Sequence, residues 1–222
     1  LDIESRDNNI KKKMIIKTLI TARGNSKSIP NKNILDIKNK PLIAYSIEAS
    51  KKSYVSETWV STDCKKIKEI SLKYGAKVLE RPKELATDTI LNEPSLIHFA
   101  KKIDFDLILF IQPTSPFINS KYINEGINLM KTGKYDSVFT ATKKHWVPHW
   151  DLKINPIGWD IYNRPRRQEK EEYYEENGMF YITSKGLLLK NNLRYGGKIG
   201  VVNIPSYDSF QIDNREDLEL IR

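Results

Sequence analysis

The sequence predicts an α/β protein built around a doubly wound, mostly parallel sheet. Between residues 15 and 141, short apolar segments that favour strands alternate with segments that have helical spacing. Residues 106–112, which read DLILFIQ, form the most continuous apolar run and are typical of a strand buried on both faces. Because parallel strands need long crossover connections, the alternation favours right-handed βαβ units with helices on both faces of one sheet.

The individual elements follow in chain order from their apolar spacing. We expect strands at residues 15–20, 58–61, 77–79, 106–112, 137–141, 179–183 and 200–204. We expect helices at residues 42–51, 65–74, 95–102, 122–130 and 216–221. Pro41 suits the start of the first helix because its fixed φ is already helical and its missing N–H has no partner there. Gly75 suits the end of the second helix because glycine enters the left-handed conformation readily.

The alternation stops near His145. Residues 145–176 contain several prolines, three tryptophans at positions 146, 150 and 159, and the charged run RPRRQEKEEYYEE. This segment is too long and too aromatic for a simple connection. We expect an inserted hairpin or arm whose exposed aromatic side chains contact a second subunit, which makes the protein a homodimer.

The composition is that of an ordinary globular domain. Hydrophobic residues make up 39% and charged residues 29% of the 222 residues, which argues against a disordered chain. No apolar run approaches the roughly 20 residues of a membrane-spanning helix, so we expect no membrane partner. The single cysteine, Cys64, excludes an intramolecular disulfide and is typical of the reducing cytoplasm.

The net charge of +9 raises the question of a polyanionic partner. The lysines are spread along the chain and no nucleic-acid-binding motif is present, so we expect no nucleic-acid partner. Residues 1–13 are polar and lack periodicity, and we expect them to be a flexible extension that precedes a domain at 14–222. The sequence is compatible both with a start at Met14 and with a further domain upstream.

Three polar segments follow predicted strands directly. They read ARGNSKSIPNKN at 22–33, STD at 61–63 and QPTSP at 112–116. Ligands of open parallel sheets bind at the carboxyl ends of the strands, so these segments are expected to meet at one site. A Walker A motif is absent, but backbone N–H groups with Arg23 and Lys32 can still form a positive nest for phosphates. Taken one by one, each segment is also compatible with an ordinary solvated turn.

These segments resemble the signature motifs of the acylneuraminate cytidylyltransferases. The similarity continues in register through further motifs: VSTD at 60–63, RPKELATDT at 81–89, RRQ at 166–168, ENGMFYI at 176–182 and DSFQIDNREDL at 208–218. The resemblance implies a Rossmann-like nucleotidyltransferase fold. It also implies transfer of CMP from CTP to a nonulosonic acid, such as Neu5Ac, legionaminic acid or pseudaminic acid, with Mg²⁺ as cofactor and release of pyrophosphate.

The resemblance assigns roles to individual residues. Arg23, Lys32 and Asp213 are implied as catalytic residues, with Asp213 as the metal ligand. The implied nucleotide-binding residues are Arg23, Asn33, Arg81, Asp88 and Asn92. The implied sugar-binding residues are Gln112, Arg167, Asn177, Tyr181 and Tyr195, of which Arg167 is contributed by the neighbouring subunit.

Some positions depart from the family pattern, and they leave alternatives open. Ser28 stands where the family prefers glycine, and Gln211 stands where a second aspartate is common. A neutral amide is a poorer Mg²⁺ ligand than a carboxylate, so we expect the metal to depend on Asp213, phosphates and water. The alternatives are transfer to another sugar or from another nucleotide, and a weakly active module that only binds nucleotide sugars. Without its neighbours, Asn177–Gly178 is most simply a hairpin turn.

Overall fold

A computed structural model describes residues 14–24, 26 and 28–221 of the chain. The strands are β1 (Ile16–Thr21), β2 (Asp36–Ile37), β3 (Lys40–Pro41), β4 (Glu57–Thr62), β5 (Lys77–Glu80), β6 (Leu107–Ile111), β7 (Ser137–Lys144), β8 (His149–Trp150), β9 (Pro156–Ile157), β10 (Tyr173–Ser184) and β11 (Ile199–Asn203). The α-helices are α1 (Leu42–Lys51), α2 (Lys65–Lys73), α3 (Glu93–Lys102), α4 (Ser120–Lys131), α5 (Lys185–Asn191) and α6 (Arg215–Ile221). The extension predicted at residues 1–13 lies outside the described residues.

The main sheet, over the described residues, has seven strands in the order β11-β7-β10-β6-β1-β4-β5. Strand β1 is parallel to β4 and β6, β4 is parallel to β5, and β7 is parallel to β11. Strand β10 runs antiparallel between β6 and β7. The sheet is therefore mostly parallel, as the sequence predicts, and β1, β4, β5 and β6 end at the same edge.

The central strand β6 contributes to a core on each face of the sheet, because successive strand residues point to opposite faces. Leu109 and Ile111 belong to a cluster that contains buried residues of α1, α2 and α4. Ile108 and Phe110 belong to a second cluster, where they join Phe99 of α3. All the residues of β6 are buried, which explains why this strand is apolar at every position.

A third cluster joins the loop after β1 to the C-terminal segment. Its buried members are Ile29, Ile37, Leu42, Ile212, Leu218 and Ile221. The backbone N–H of Ile212 also donates a 2.9 Å hydrogen bond to the carbonyl oxygen of Thr114. These contacts hold two distant parts of the chain together, so that their polar residues lie beside one another at the edge of the sheet.

Residues 145–172 leave the sheet after β7 and return in β10. Within this segment β8 pairs with β9 in a short hairpin. The ring of Trp159 lies edge to face against Trp146 and Trp150, with centroid separations of 6.4 and 4.9 Å. Leu152 is fully exposed beside them. The segment forms an arm outside the main sheet, and its role in dimerisation stays a prediction.

Two features differ from the sequence predictions. Strand β10 begins at Tyr173 rather than at residue 179, because residues 173–176 pair with β7 before a shift of register. Asn177 and Gly178 lie at that shift, so they form a bulge within one strand rather than a hairpin turn. Helix α5 and the β2–β3 pair are too short to show an apolar period in the sequence.

Over the part of the chain that the structure describes, no helix is long and apolar enough to span a membrane.

Candidate active site

A cavity of about 480 Å³ opens at the edge of the sheet where β1, β5 and β6 end. It is lined by Thr21, Arg23, Ser26, Ser28, Lys32, Asn33, Arg81, Leu85, Thr87, Asp88, Ile90, Leu91, Asn92, Gln112, Pro113, Thr114, Gln211 and Asp213. Every residue that the sequence analysis assigns to the nucleotide, to catalysis or to the metal is among them, together with Gln112. The fold therefore brings these separate motifs to one place, as the crevice rule for open parallel sheets predicts.

The loop after β1 owes its shape to contacts with its neighbours. Gly24 donates its backbone N–H to Asp63 Oδ1 at 2.9 Å, and a Cβ added at this glycine would lie 2.9 Å from Cys64 Cβ. The Nδ2 group of buried Asn33 donates to the carbonyl oxygen of Arg23 at 3.0 Å. Asn31 has a φ of 56°, in the left-handed region that asparagine tolerates. Asn33 thus closes the loop and fixes the backbone from which Arg23 projects.

Arg81 supplies a positive charge that is fixed in position. Its Nε donates to Ser61 Oγ at 3.1 Å and its Nη2 donates to the Ser61 carbonyl oxygen at 2.8 Å. Burial lowers the pKa of Arg81 to about 10, and nearby Asp63 opposes that shift. Because this pKa stays well above neutrality, the guanidinium remains charged beside the cavity and suits an anionic ligand.

Two ion pairs cross the cavity wall. Arg23 Nη1 lies 2.6 Å from Asp88 Oδ1 and also donates to the Thr87 carbonyl oxygen at 2.9 Å. Lys32 Nζ lies 3.1 Å from Asp213 Oδ1, with the lysine side chain 12% exposed and the aspartate side chain 63% exposed. The two cations predicted to bind the triphosphate are therefore each paired with a carboxylate in this structure.

Two threonines near the ends of strands belong to the site, and the sequence analysis did not assign either of them to it. Thr21, the last residue of β1, donates its hydroxyl to Asn92 Oδ1 at 3.1 Å. Thr114 donates its hydroxyl to Gln211 Oε1 at 3.2 Å. Their position in the sequence could have identified them, because each lies just after the carboxyl end of a predicted strand. Both threonines orient an amide side chain that lines the cavity.

The bulge in β10 brings Gln112 and Gln211 close together. Gly178 has a φ of 67°, which favours glycine, and an added Cβ would lie 2.9 Å from Gln112 Oε1 and 3.0 Å from Gln211 Nε2. The backbone N–H of Gln112 also donates a hydrogen bond to the carbonyl oxygen of Met179 at 3.4 Å. A side chain at position 178 would displace both amides, so glycine is required for this arrangement.

The remaining residues assigned to the sugar lie outside the cavity lining. Asn177 Nδ2 donates to Thr142 Oγ1 at 3.3 Å. Tyr181 is buried and donates its hydroxyl to Glu176, and its ring stacks 5.7 Å from Phe110. Burial raises the pKa of Tyr181, and the hydrogen bond to Glu176 raises this pKa further.

Tyr195 and Arg167 complete the set assigned to the sugar. The ring of Tyr195 lies 5.9 Å from that of Tyr181, and the rings of Tyr195, Tyr181 and Phe110 form an aromatic layer. Arg167 is exposed in the arm, where it lines a separate depression with Trp146, and it is not among the residues that line the cavity. The sugar-binding roles of these two residues, of Asn177 and of Tyr181 stay predictions.

A buried ion pair supports this aromatic layer, and the sequence analysis missed it. Arg194 Nε lies 2.7 Å from Glu93 Oε1, and the two side chains are 17% and 10% exposed. The guanidinium lies over the rings of Tyr181 and Phe110, at 5.0 and 5.5 Å from their centroids. Glu93 directly follows Asn92, so the pair ties a cavity residue to the loop after α5. Nothing in the sequence spacing relates positions 93 and 194.

The protein groups near Asp213 are few. Asp217 Oδ2 accepts the backbone N–H groups of Asp213 and Asn214, which commits that carboxylate to the start of α6. The described residues contain no group of three or more His, Cys, Asp or Glu placed to hold a metal. One carboxylate beside a cationic cradle fits a Mg²⁺ ion whose other ligands are phosphate oxygens and water. The site therefore fits a metal that enters with a polyphosphate and does not form an all-protein metal cage.

Comparison with known proteins gives a consistent result. The family model for cytidylyltransferases matches residues 18–222. The chain is 36% identical over 207 residues to N-acylneuraminate cytidylyltransferase A of Danio rerio. The aligned region covers 89% of this chain and 48% of that relative. It is 35% identical over 196 residues to CMP-N,N'-diacetyllegionaminic acid synthase of Legionella pneumophila, covering 82% of this chain and 83% of the relative. It is 28% identical to pseudaminic acid cytidylyltransferase of Campylobacter jejuni, covering 92% of this chain and 93% of the relative.

The relatives differ in length. The chain spans about half the length of several curated relatives that it matches, including two N-acylneuraminate cytidylyltransferases of Danio rerio, of which it covers 48% each. Among solved structures, CMP:2-keto-3-deoxy-manno-octonic acid synthetase complexed with CTP aligns with a TM-score of 0.73 at 18% identity, over 93% of this chain and 96% of that chain. At this identity the match shows that the two chains share a fold.

Proposed function

The chain belongs to the cytidylyltransferase family, and we propose that it transfers CMP from CTP to the anomeric hydroxyl of a nonulosonic acid, with release of pyrophosphate. The observation that carries this proposal is the convergence of Arg23, Lys32 and Arg81 on one cavity that also contains the amides of Gln112 and Gln211. The cations suit a triphosphate, and the amides suit a polyhydroxylated acceptor.

The reaction requires attack of the anomeric oxygen on the α-phosphorus of CTP. A bond forms between these two atoms as the hydroxyl loses its proton to water, the bond from the α-phosphorus to the bridging oxygen breaks, and pyrophosphate leaves with the electron pair. Negative charge grows on the leaving group as that bond lengthens. Arg23 and Lys32 project from a loop fixed by Gly24 and Asn33, so they can stabilise this charge without moving far.

Mg²⁺ is part of the proposal as cofactor. Asp213 would hold it, together with phosphate oxygens and water, because this carboxylate lines the cavity and is largely exposed. When bound, the ion would neutralise phosphate charge and orient the triphosphate. Lys32 would exchange its contact with Asp213 for a contact with phosphate, so that the cation and the anion of this pair serve different ligands.

The acceptor class rests on the relatives. Their names include acylneuraminate, legionaminic acid and pseudaminic acid enzymes, and the chain covers more than four fifths of the last two. The proposed acceptor is therefore a nine-carbon 2-keto-3-deoxy acid sugar. Asn177, Tyr181 and Tyr195 are proposed to shape the acceptor end.

A homodimer is also part of the proposal. Arg167 is exposed in the arm and does not line the cavity, so we propose that it reaches the sugar-binding region of a second subunit. The aromatic cluster around Trp159 would form the contact between the subunits. A cytoplasmic location is proposed from the lone cysteine, which fits a reducing compartment.

The direct test is a pyrophosphate-release assay with each of the four ribonucleoside triphosphates and a panel of nonulosonic acids. We expect release with CTP and at least one nonulosonic acid, and none when either substrate is omitted. Lys32→Ala should lose activity, whereas Lys68→Ala removes an exposed lysine paired with Glu80 and should retain it. Binding of CTP without pyrophosphate release from any acid would instead favour a module that only binds nucleotide sugars.

A further inference from the structure

Gln211 and Gln112 approach each other across the glycine bulge of β10. Gln112 Oε1 and Gln211 Nε2 lie within 2.9 and 3.0 Å of the point that a Cβ of Gly178 would occupy. Both side chains line the cavity. The two amides therefore present a hydrogen-bond acceptor and a donor to the same small region.

The orientation of Gln211 is set by Thr114. The Thr114 hydroxyl donates to Gln211 Oε1 at 3.2 Å, and the Thr114 carbonyl oxygen accepts the backbone N–H of Ile212 at 2.9 Å. Oε1 is the atom of this amide that could ligate a cation, and in this structure it accepts the Thr114 hydroxyl. Nε2 carries two N–H donors and cannot ligate Mg²⁺, and it lies nearer than Oε1 to the Cβ position of Gly178, at 3.0 against 3.8 Å.

Asp213 points to a different partner. Its Oδ1 contacts Lys32 of the loop after β1, whereas Gln211 contacts Thr114 of the segment that follows β6. Residues 211 and 213 flank the buried Ile212, which packs in the third cluster and anchors this stretch of chain. The two side chains thus serve different parts of one cavity.

We propose that Gln211 is a specificity-determining residue that donates from Nε2 to the carboxylate of the acceptor. This inference rests on the proposed function, because a 2-keto acid sugar carries its carboxylate on the anomeric carbon that must approach the α-phosphate. Asp213 and the triphosphate already place negative charge there. A neutral donor binds the acceptor's carboxylate without adding repulsion, whereas a carboxylate at position 211 would oppose it.

Two nearly isosteric replacements of Gln211, by methionine and by glutamate, test the proposal. Gln211→Met removes the donor without adding charge, and Gln211→Glu replaces it with a carboxylate. We expect the KM for the acid sugar to rise several-fold in Gln211→Met and about tenfold or more in Gln211→Glu, on the scale of a lost charge-assisted hydrogen bond. The KM for CTP should change by less than about twofold in both. Thr114→Val should raise the KM for the sugar too, because it releases the amide from its orientation.

Binding measurements separate the sugar from the metal. Calorimetric titration of CTP without sugar, repeated over a series of Mg²⁺ concentrations, should give the same Mg²⁺ dependence in wild type, Gln211→Asp and Gln211→Glu. If either acidic variant needs less Mg²⁺ and keeps the KM for the sugar, Gln211 faces the metal and the proposal is overturned. Equal rises of both KM values with a lower melting temperature would also overturn it, because they indicate a structural role. Failure of the wild type with every acid would refute the proposed function itself.

Discussion

Lys32 Nζ lies 3.1 Å from Asp213 Oδ1, although the two residues are far apart in the sequence. The pair joins the loop after β1 to the segment before α6, and the third hydrophobic cluster holds those segments together. In the proposed reaction Lys32 binds phosphate and Asp213 binds Mg²⁺. Before either ligand arrives, the lysine and the aspartate neutralise each other.

This pairing gives a prediction for Asp213→Asn. Turnover should fall below detection, because the metal acts mainly on charge that develops in the transition state. Binding of CTP without Mg²⁺ should instead match or exceed that of the wild type, because Lys32 no longer has a carboxylate partner. Calorimetric titration with and without Mg²⁺ measures both effects. Loss of CTP binding in both conditions would show that Asp213 contacts the nucleotide in some other way.

The cationic residues of the loop should contribute strongly to the rate. Arg23→Ala and Lys32→Ala should each lower kcat/KM by about 100-fold or more, as removal of a group that stabilises developing charge does. Steady-state pyrophosphate release measures this loss, with Lys68→Ala as the control for general effects of a removed lysine. Activity close to that of the wild type in either variant would contradict the assignment of a triphosphate to this loop.

The nucleotide should be selected at residues 88–92, of which four line the cavity with Arg23: Asp88, Ile90, Leu91 and Asn92. CTP should be turned over in strong preference to UTP, because a site that hydrogen-bonds the exocyclic amino group of cytosine is left with unpaired polar atoms when UTP binds. Competition of the two nucleotides in one assay gives the ratio of their kcat/KM values directly. Equal turnover would remove base recognition from this stretch.

The ion pair between Arg194 and Glu93 should contribute to stability. Arg194→Ala should lower the free energy of unfolding by about 3 kcal/mol, because it leaves a buried carboxylate without its partner. The double variant Glu93→Gln, Arg194→Met should recover part of that loss, since no charge is then buried. Urea unfolding measures both. A loss below about 1 kcal/mol in Arg194→Ala would indicate that Glu93 is well solvated.

The arm should hold two subunits together. We expect a dimer by sedimentation at micromolar concentration, because apolar residues such as Leu152 and Ile154 are exposed around the tryptophan cluster. Replacing both with serine should shift the protein towards the monomer and raise the KM for the sugar if Arg167 acts across the interface. A monomeric wild type would contradict the prediction of a homodimer.

The sequence alone predicted the sheet and most of its elements. The continuous apolar run of β6 and the helical spacing of apolar residues in α1 are local patterns. Such patterns can be recognised without knowing the tertiary contacts. Strand β10 shows where this fails, because its first residues are polar and are placed by pairing with β7 rather than by their own pattern. The Asn177–Gly178 bulge has the same origin.

The sequence also determined which residue types gather at the site from the loops after β1, β5 and β6, since these motifs directly follow parallel strands that end at one edge. Only the tertiary structure decided how those side chains pair. The contacts of Lys32 with Asp213, of Arg23 with Asp88 and of Thr114 with Gln211 all join distant segments. Such contacts depend on the packing of buried residues such as Ile29 and Ile212. No periodic pattern in the sequence around the polar residues shows which distant segments pack together.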